Sequence, residues 1–315
     1  MEAYHKLKRV FNGLTRAHGV FYKGETKESG KVGGKAYIIK EEVTDKHWAD
    51  HIKGIDPSLG IIPIRDDATC SWSCIDVDDY TIDVRKTIQA YTKLNLPIIP
   101  CRSKSGGFHL FLFFSEPVEA KLAIKKLTEI ASVLGFADCE IFPKQEEVRV
   151  DRGDVGNFIN LPYQNSKHTT RYALKADGDG LTLKEFLVLA EKIQISAKGL
   201  SSISLGSDKV LLPDGPPCCQ QLTEFGIPEG GRNTTLLNIG IYYRKCDPNN
   251  WKDLLEKHNR DYCTPPLPAR EIVIIQEQLE KKDYAYTCKQ EPLHSHCNKS
   301  LCRSRKFGIG FHNSH

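Results

Sequence analysis

The chain has 315 residues, 40% of them hydrophobic and 27% charged, which are ordinary values for a globular protein and exclude wholesale disorder. Its formal net charge of +4 is too small by itself to indicate a nucleic-acid partner. The charge is uneven, however. Residues 281–315 hold seven Lys or Arg against Asp283 and Glu291, a local +5, so the other 280 residues sum to −1. A basic end on a near-neutral body points to a polyanion contact there, with a merely solvated tail as the alternative.

No apolar run approaches the roughly 20 residues of a membrane span. The opening MEAYHKLKRVFNGL has no signal-peptide apolar region. The expectation is a cytoplasmic protein with no membrane partner. Eleven cysteines without an export signal point to reduced thiols and a metal site; the odd count argues against a disulfide framework.

In chain order, a helix is predicted at 2–12. YKGETKESGKVGGKAYIIK reads as a Gly- and Lys-rich turn leading into a strand at 36–40. From Leu59 strands and helices alternate. GIIPI and SCIDV are apolar strands, and 82–95 is a helix with Val84, Ile88 and Tyr91 on one face. LPIIPC (96–101) and FHLFLFF (108–114) are strands. SEPVEAKLAIKKLTEIASVLG then reads as a helix with Pro117 near its start and Gly135 as its stop. CEIF (139–142) and GNFINLP (156–162) are further strands, and 182–194 is a helix. The Ser-, Gly- and Pro-rich stretch at 201–215 reads as a linker between a domain at 1–200 and a helical domain at 216–315. The fold class expected is α+β.

Chemistry gathers in a few segments. In SCIDVDDY, alternation along a strand puts Asp76 and Asp78 on one face, with Ile75 and Val77 turned the other way into the core. Paired carboxylates repel unless a cation lies between them, and Mg²⁺ takes one or two carboxylates plus phosphate oxygens. Glu140 sits within CEIF, where a charge is costly unless paired or metal-bound; an exposed edge is the alternative. CRSKSGGFHLFLFF brings Arg102, Lys104 and Ser105 before two glycines that let backbone approach a ligand, and carries His109 at its strand start.

The order hhhDhD, then the SGGFH turn, then an hEh strand resembles the archaeo-eukaryotic primase superfamily, in particular phage and plasmid primase-polymerases with a C-terminal zinc motif. The resemblance spans residues 10–310. It implies a core with an RRM-like antiparallel or mixed sheet, with Asp76 and Asp78 in the first motif, His109 in the second and Glu140 in the third, holding Mg²⁺ or Mn²⁺. Gly107 departs from the Ser often found in the second motif. Lys104, Ser105 and His109 are implied to hold a nucleoside triphosphate. Arg102, of the same basic turn, is a further nucleotide candidate, and Lys144, Gln145 and Asn157 are weaker nucleotide or template candidates, with a packing or surface role as the alternative. Arg171 reads as a surface residue. Single-stranded DNA is the implied template. No Walker A pattern is present, so a replicative helicase is expected as a separate partner.

YTCKQEPLHSHCNKSLCRSRK carries Cys288, His294, Cys297 and Cys302, a Cys₃His set suited to tetrahedral zinc, within the segment 288–302. His294 is preferred to His296 for its two-residue spacing to Cys297. Cys218, Cys219, Cys246 and Cys263 lack ligand spacing and read as core or surface thiols. Arg303, Arg305 and Lys306 beside the zinc segment are phosphate-contact candidates. The function expected is template-directed, metal-dependent nucleotidyl transfer by a DNA primase or primase-polymerase. Two rivals remain: a zinc-dependent single-strand-binding replication initiator without polymerase activity, and a metal-dependent nuclease or phosphotransferase.

Overall fold

The computed structural model describes residues 2–26, 32–205 and 211–310. Residues 27–31 of the turn expected before the strand at 36–40, and the middle of the expected linker (206–210), lie outside the described residues. The chain divides into two compact units. One comprises residues 1–128 and 139–203, the other 129–138 and 204–315.

The first unit begins with α1 (Ala3–Val10), whose Leu7 and Val10 are buried and whose last turn carries Lys8 and Arg9, favourable beside the negative end of a helix. Next come β1 (His18–Thr26), β2 (Val32–Ile39), α2 (Asp45–Lys53), β3 (Ser58–Ile61) and β4 (Thr69–Val77). α3 (Val84–Lys93) starts where the Asp83 side chain accepts from the backbone N–H groups of Arg85 and Lys86. β5 (Ile98–Arg102), β6 (Phe108–Glu119), α4 (Ala120–Leu134), β7 (Glu140–Phe142) and β8 (Ile159–Asn160) follow. α5 (Leu183–Lys192), held at its start by a reciprocal Thr182–Glu185 capping box, and the short α6 (Ala197–Ser201) close the unit.

Two four-stranded sheets result, ordered β2-β1-β3-β8 and β5-β6-β4-β7. Every pairing between named strands is antiparallel. The expected α+β core is therefore antiparallel rather than mixed. β6 runs five residues further than the sequence suggested, and Pro117 lies in this strand, not at the start of α4.

The register of the second sheet positions the site. Trp72 faces Phe113, Cys74 faces Phe111 and Asp76 faces His109 across β4 and β6. These pairs share one face, because alternate strand residues do. Trp72, Cys74, Phe111 and Phe113 are buried in the main core together with Phe11 and Phe186. Phe11 is the hub of that cluster, edge-on to Trp72, Phe111 and Phe113 at ring separations of 5.3, 5.1 and 5.4 Å. The acids thus stand at the end of an aromatic core face, not on a face turned from the core. Ile75 and Val77 are buried on the opposite face, so the sheet is covered on both sides.

The second unit is helical among its described residues. It contains α7 (Pro217–Phe225), α8 (Arg232–Cys246), α9 (Trp251–Tyr262), α10 (Ala269–Glu280) and α11 (Lys299–Ser304). α8 is buried on most of its circumference. At Gly240 an added Cβ would stand 2.5 Å from Leu279 Cδ1, so glycine permits that close helix approach. Leu212 is buried in this unit's core, and the Tyr242 hydroxyl donates to the Pro213 carbonyl at 2.9 Å. The described end of the expected linker is therefore packed chain.

Candidate active site

Asp76 lies on the central strand β4, with His109 of β6 opposite it on one side and Glu140 of β7 opposite it on the other. Two carboxylates and an imidazole from three strands thus stand in a row across the sheet. Asp78 follows two residues after Asp76, just past the strand end. Asp76, Asp78, His109 and Glu140 line one cleft of about 400 Å³ together with Lys104 and Ser105.

The electrostatics of the row are uneven. The Asp76 side chain is 18% exposed and its Oδ1 stands 3.3 Å from His109 Nε2. That contact lacks hydrogen-bond direction, and Asp76 Oδ1 is buried without a hydrogen-bond partner. A buried carboxylate oxygen without a donor is costly, which fits a cation ligand. His109 is buried, its ring edge-on to Phe111 at 5.6 Å and 87°. Glu140 is 60% exposed and accepts from Lys144 Nζ at 2.5 Å. The edge position expected as the alternative for Glu140 is thus its place, yet the edge borders the cleft. As the side chains stand, no group of three or more His, Cys, Asp or Glu among the described residues has metal-holding geometry.

The turn before β6 is built by its glycines. Ser103 N–H donates to the Gly107 carbonyl at 2.8 Å, and Gly106 has φ +100°, the region that favours glycine. At Gly107 an added Cβ would stand 2.3 Å from the Val77 carbonyl oxygen and 3.3 Å from Asp78 Cα. The departure from serine at this position therefore has a steric cause: the turn lies directly on the strand end that carries the acids. It presents Lys104 and Ser105 to the cleft; Lys104 Nζ also lies 3.6 Å from the centre of the Phe21 ring.

The remaining nucleotide candidates divide. Lys144 and Asn157 line the cleft. Gln145 does not line it but donates to Asn157 Oδ1 at 2.5 Å, which orients that amide. Arg102 is exposed and lines a neighbouring groove of about 370 Å³ with Thr169, Thr170 and Tyr172, joined to the cleft through Lys104 and Ser105. Arg171 is buried, against the surface position expected, and donates to Ser58 Oγ at 3.2 Å.

Sequence reasoning missed Tyr80, Phe158 and Asn160, which also line the cleft. Asn160 Oδ1 is buried without a partner. Phe158 had a legible signal only in hindsight of the pairing: Gly19 and Gly60 leave the space its ring fills, since a Cβ at either would meet it at 2.2 Å.

In the second unit, Cys302 is buried, Cys288 and Cys297 are half-buried, and His294 is exposed. Arg303 and Lys306 are exposed, whereas Arg305 is half-buried with its Nε unbonded. No helix among the described residues is long and apolar enough to cross a membrane.

Residues 17–201, more than half of the chain and the stretch that carries the whole cleft, match the family described as the TOTE conflict system, Archaeo-Eukaryotic Primase domain. The chain belongs to this family. Membership of an archaeo-eukaryotic primase family carries a primase-type nucleotidyl transfer as its activity class, with DNA and nucleotides as the corresponding ligands. The family is a conflict-system one, where the sequence alone suggested phage or plasmid relatives. A solved crystal structure of primase RepB′ covers 89% of this chain and 98% of its own, with 8% identity and a TM-score of 0.30. No curated protein matches the chain.

Proposed function

We propose that this primase domain builds a strand on a single-stranded DNA template from nucleoside triphosphates, and that the Asp76 cleft is where it does so. The observation that carries the reading is the register: Asp76 directly between His109 and Glu140, with its Oδ1 orphaned. Asp76, Asp78 and Glu140 would hold Mg²⁺ or Mn²⁺. When bound, such an ion neutralises charge that develops as a 3′ hydroxyl attacks the α-phosphate.

The chain's own groups then divide the work. Lys104 and Ser105, on a turn fixed by Gly106 and Gly107, meet phosphate oxygens with a cation and a hydroxyl. His109 faces the cleft from a buried ring packed edge-on against Phe111, a position from which it can contact a phosphate. Lys144 bonds Glu140 and so keeps that exposed carboxylate turned to the cleft rim. Asn157, held by Gln145, and Asn160 offer amides to base or sugar, and Phe158 supplies an apolar wall. Exposed Arg303 and Lys306 suit phosphates of the nucleic acid, and a helicase would act as a separate partner.

Asp76→Ala, Asp78→Ala and Glu140→Ala should each lower nucleotide incorporation by about 10²-fold or more, while gel-shift binding of single-stranded DNA persists. Wild-type extension rates in all three variants would overturn the assignment of the cleft. Binding without any incorporation by the parent protein would favour the initiator reading instead.

A further inference from the structure

The turn that presents Lys104 and Ser105 to the Asp76 cleft also borders a second concavity, the groove of about 370 Å³ noted above. One wall of this groove is the chain at 102–106; the other is Thr169, Thr170 and Tyr172. Ser103, Lys104 and Ser105 line both concavities, so the groove continues the cleft across a single turn.

The two sides of that turn differ in chemistry. The cleft has Asp76, Asp78 and Glu140. The groove is lined by two cations, Arg102 and Lys104, by the hydroxyls of Ser103, Ser105, Thr169 and Thr170, and by the Tyr172 phenol; among the described residues that line it, none is acidic. The sequence shares this bias, since residues 84–115 and 155–176, which supply the two walls, contain no Asp or Glu. Mg²⁺ takes carboxylates beside phosphate oxygens, so a metal-loaded triphosphate belongs on the acidic side of the turn. Cations and hydroxyls without a carboxylate suit a phosphate that arrives without a metal. Arg, Lys, Ser and Thr contact the backbone phosphates of nucleic acids in this way.

Both walls are fixed by the protein itself. The Arg102 backbone N–H donates to the Tyr172 carbonyl at 2.9 Å, and the Leu174 N–H to the Pro100 carbonyl at 2.9 Å, which laces β5 to the second wall. Thr169 Oγ1 accepts from the Arg171 N–H at 3.0 Å, and the Arg171 carbonyl accepts from the Tyr163 N–H at 2.7 Å. The buried Arg171 side chain anchors this wall on the Ser58 hydroxyl. Arg102 and Thr170 are exposed. The Arg102 guanidinium carbon lies 5.9 Å from the centre of the Tyr172 ring. Contact with a ring face consumes no N–H donor, so the planar fork is left for phosphate oxygens.

We infer that this groove holds the sugar–phosphate backbone of the single-stranded DNA that enters the Asp76 cleft, with the Arg102 fork on a phosphate and the Thr170 hydroxyl as a further donor. Arg102 thereby serves the strand rather than the incoming nucleotide. Such contacts fix where a strand lies without reading its sequence, which suits an enzyme that copies whatever template enters. The role of the strand rests on the proposed templated transfer; the binding of its phosphates does not.

DNA binding is therefore measured apart from catalysis, by fluorescence anisotropy of labelled single-stranded oligonucleotides with the full chain over a range of NaCl concentrations, without nucleotide or divalent ion. R102Q should weaken binding about tenfold at low salt and make the slope of log affinity against log salt concentration shallower by about 0.7, the loss of one phosphate contact. R102K should keep the parent slope and lose only part of the affinity, because it retains the charge but not the fork. T170V should weaken binding by a smaller factor at the parent slope, and each effect should be the same for oligonucleotides of different sequence. Parent-like affinity and slope in R102Q would overturn the inference. A raised KM for the nucleotide in R102Q with parent-like DNA binding would also overturn it and give the groove to the triphosphate. A parent chain that binds DNA with this dependence on Arg102 yet incorporates no nucleotide would remove the proposed transfer and leave the groove assigned to the strand.

Discussion

At Asp76 a carboxylate oxygen is buried with no donor, a placement that works against folding and in favour of ligand binding. Function and stability should therefore separate there. Asp76→Ala is expected to leave the thermal midpoint unchanged or raise it by the equivalent of about 1 kcal/mol, since an unsatisfied buried group is removed, although the same change disables the cleft. A calorimetric midpoint lowered by several degrees would mean that Asp76 is structural. Two buried histidines make a second residue-scale prediction. Burial pushes His51 and His258 down to about 4 from an ordinary value of 6.5. His51 is fixed as a neutral ring, accepting from the Leu59 N–H at 3.0 Å and donating to the Pro162 carbonyl at 2.9 Å. Both rings resist protonation when folded and accept it when unfolded. Their contribution is complete above pH 6.5 and is lost as pH falls towards 4, by about 3 kcal/mol each. Urea midpoints measured across that interval should fall steeply; H51Q, if it folds, should flatten part of the slope.

At the scale of elements, β4, β6 and the turn between β5 and β6 decide the site. Gly107→Ala places a Cβ against the Val77 carbonyl and should cost about 1–3 kcal/mol and displace the turn that carries Lys104 and Ser105. A urea midpoint equal to that of the parent chain would show that the turn yields freely. Here the limits of sequence reading are physical. Period-two alternation made β4 and the shared face of Asp76 and Asp78 legible, because side-chain direction along a strand is geometric. It did not tell which face the core lay on, since Trp72 and Cys74 are buried on one side and Ile75 and Val77 on the other. Pro117 was misleading: it suits a helix start, but it is equally tolerated late in a strand. β1 was hidden because Lys23, Gly24 and Glu25 dilute its apolar pattern. Phe158 and Asn160 join the cleft through the pairing of β3 with β8, a long-range contact that no local pattern encodes.

For the whole molecule, the α+β class and the helical character of the C-terminal region followed from periodicity and breakers, whereas the grouping of residues 129–138 with the second unit did not. The last turns of one continuous helix, α4, carry no sequence signal of such a division. The central claim is that the Asp76 cleft of this primase domain performs templated nucleotidyl transfer. Its most direct test is incubation of the intact protein with an unprimed single-stranded DNA template, labelled nucleoside triphosphates and Mg²⁺ or Mn²⁺, resolved on a denaturing gel. A labelled strand whose composition follows the template, and which requires the added ion, is the predicted result. A shortened template, or bound DNA with no labelled product under either ion, would contradict it.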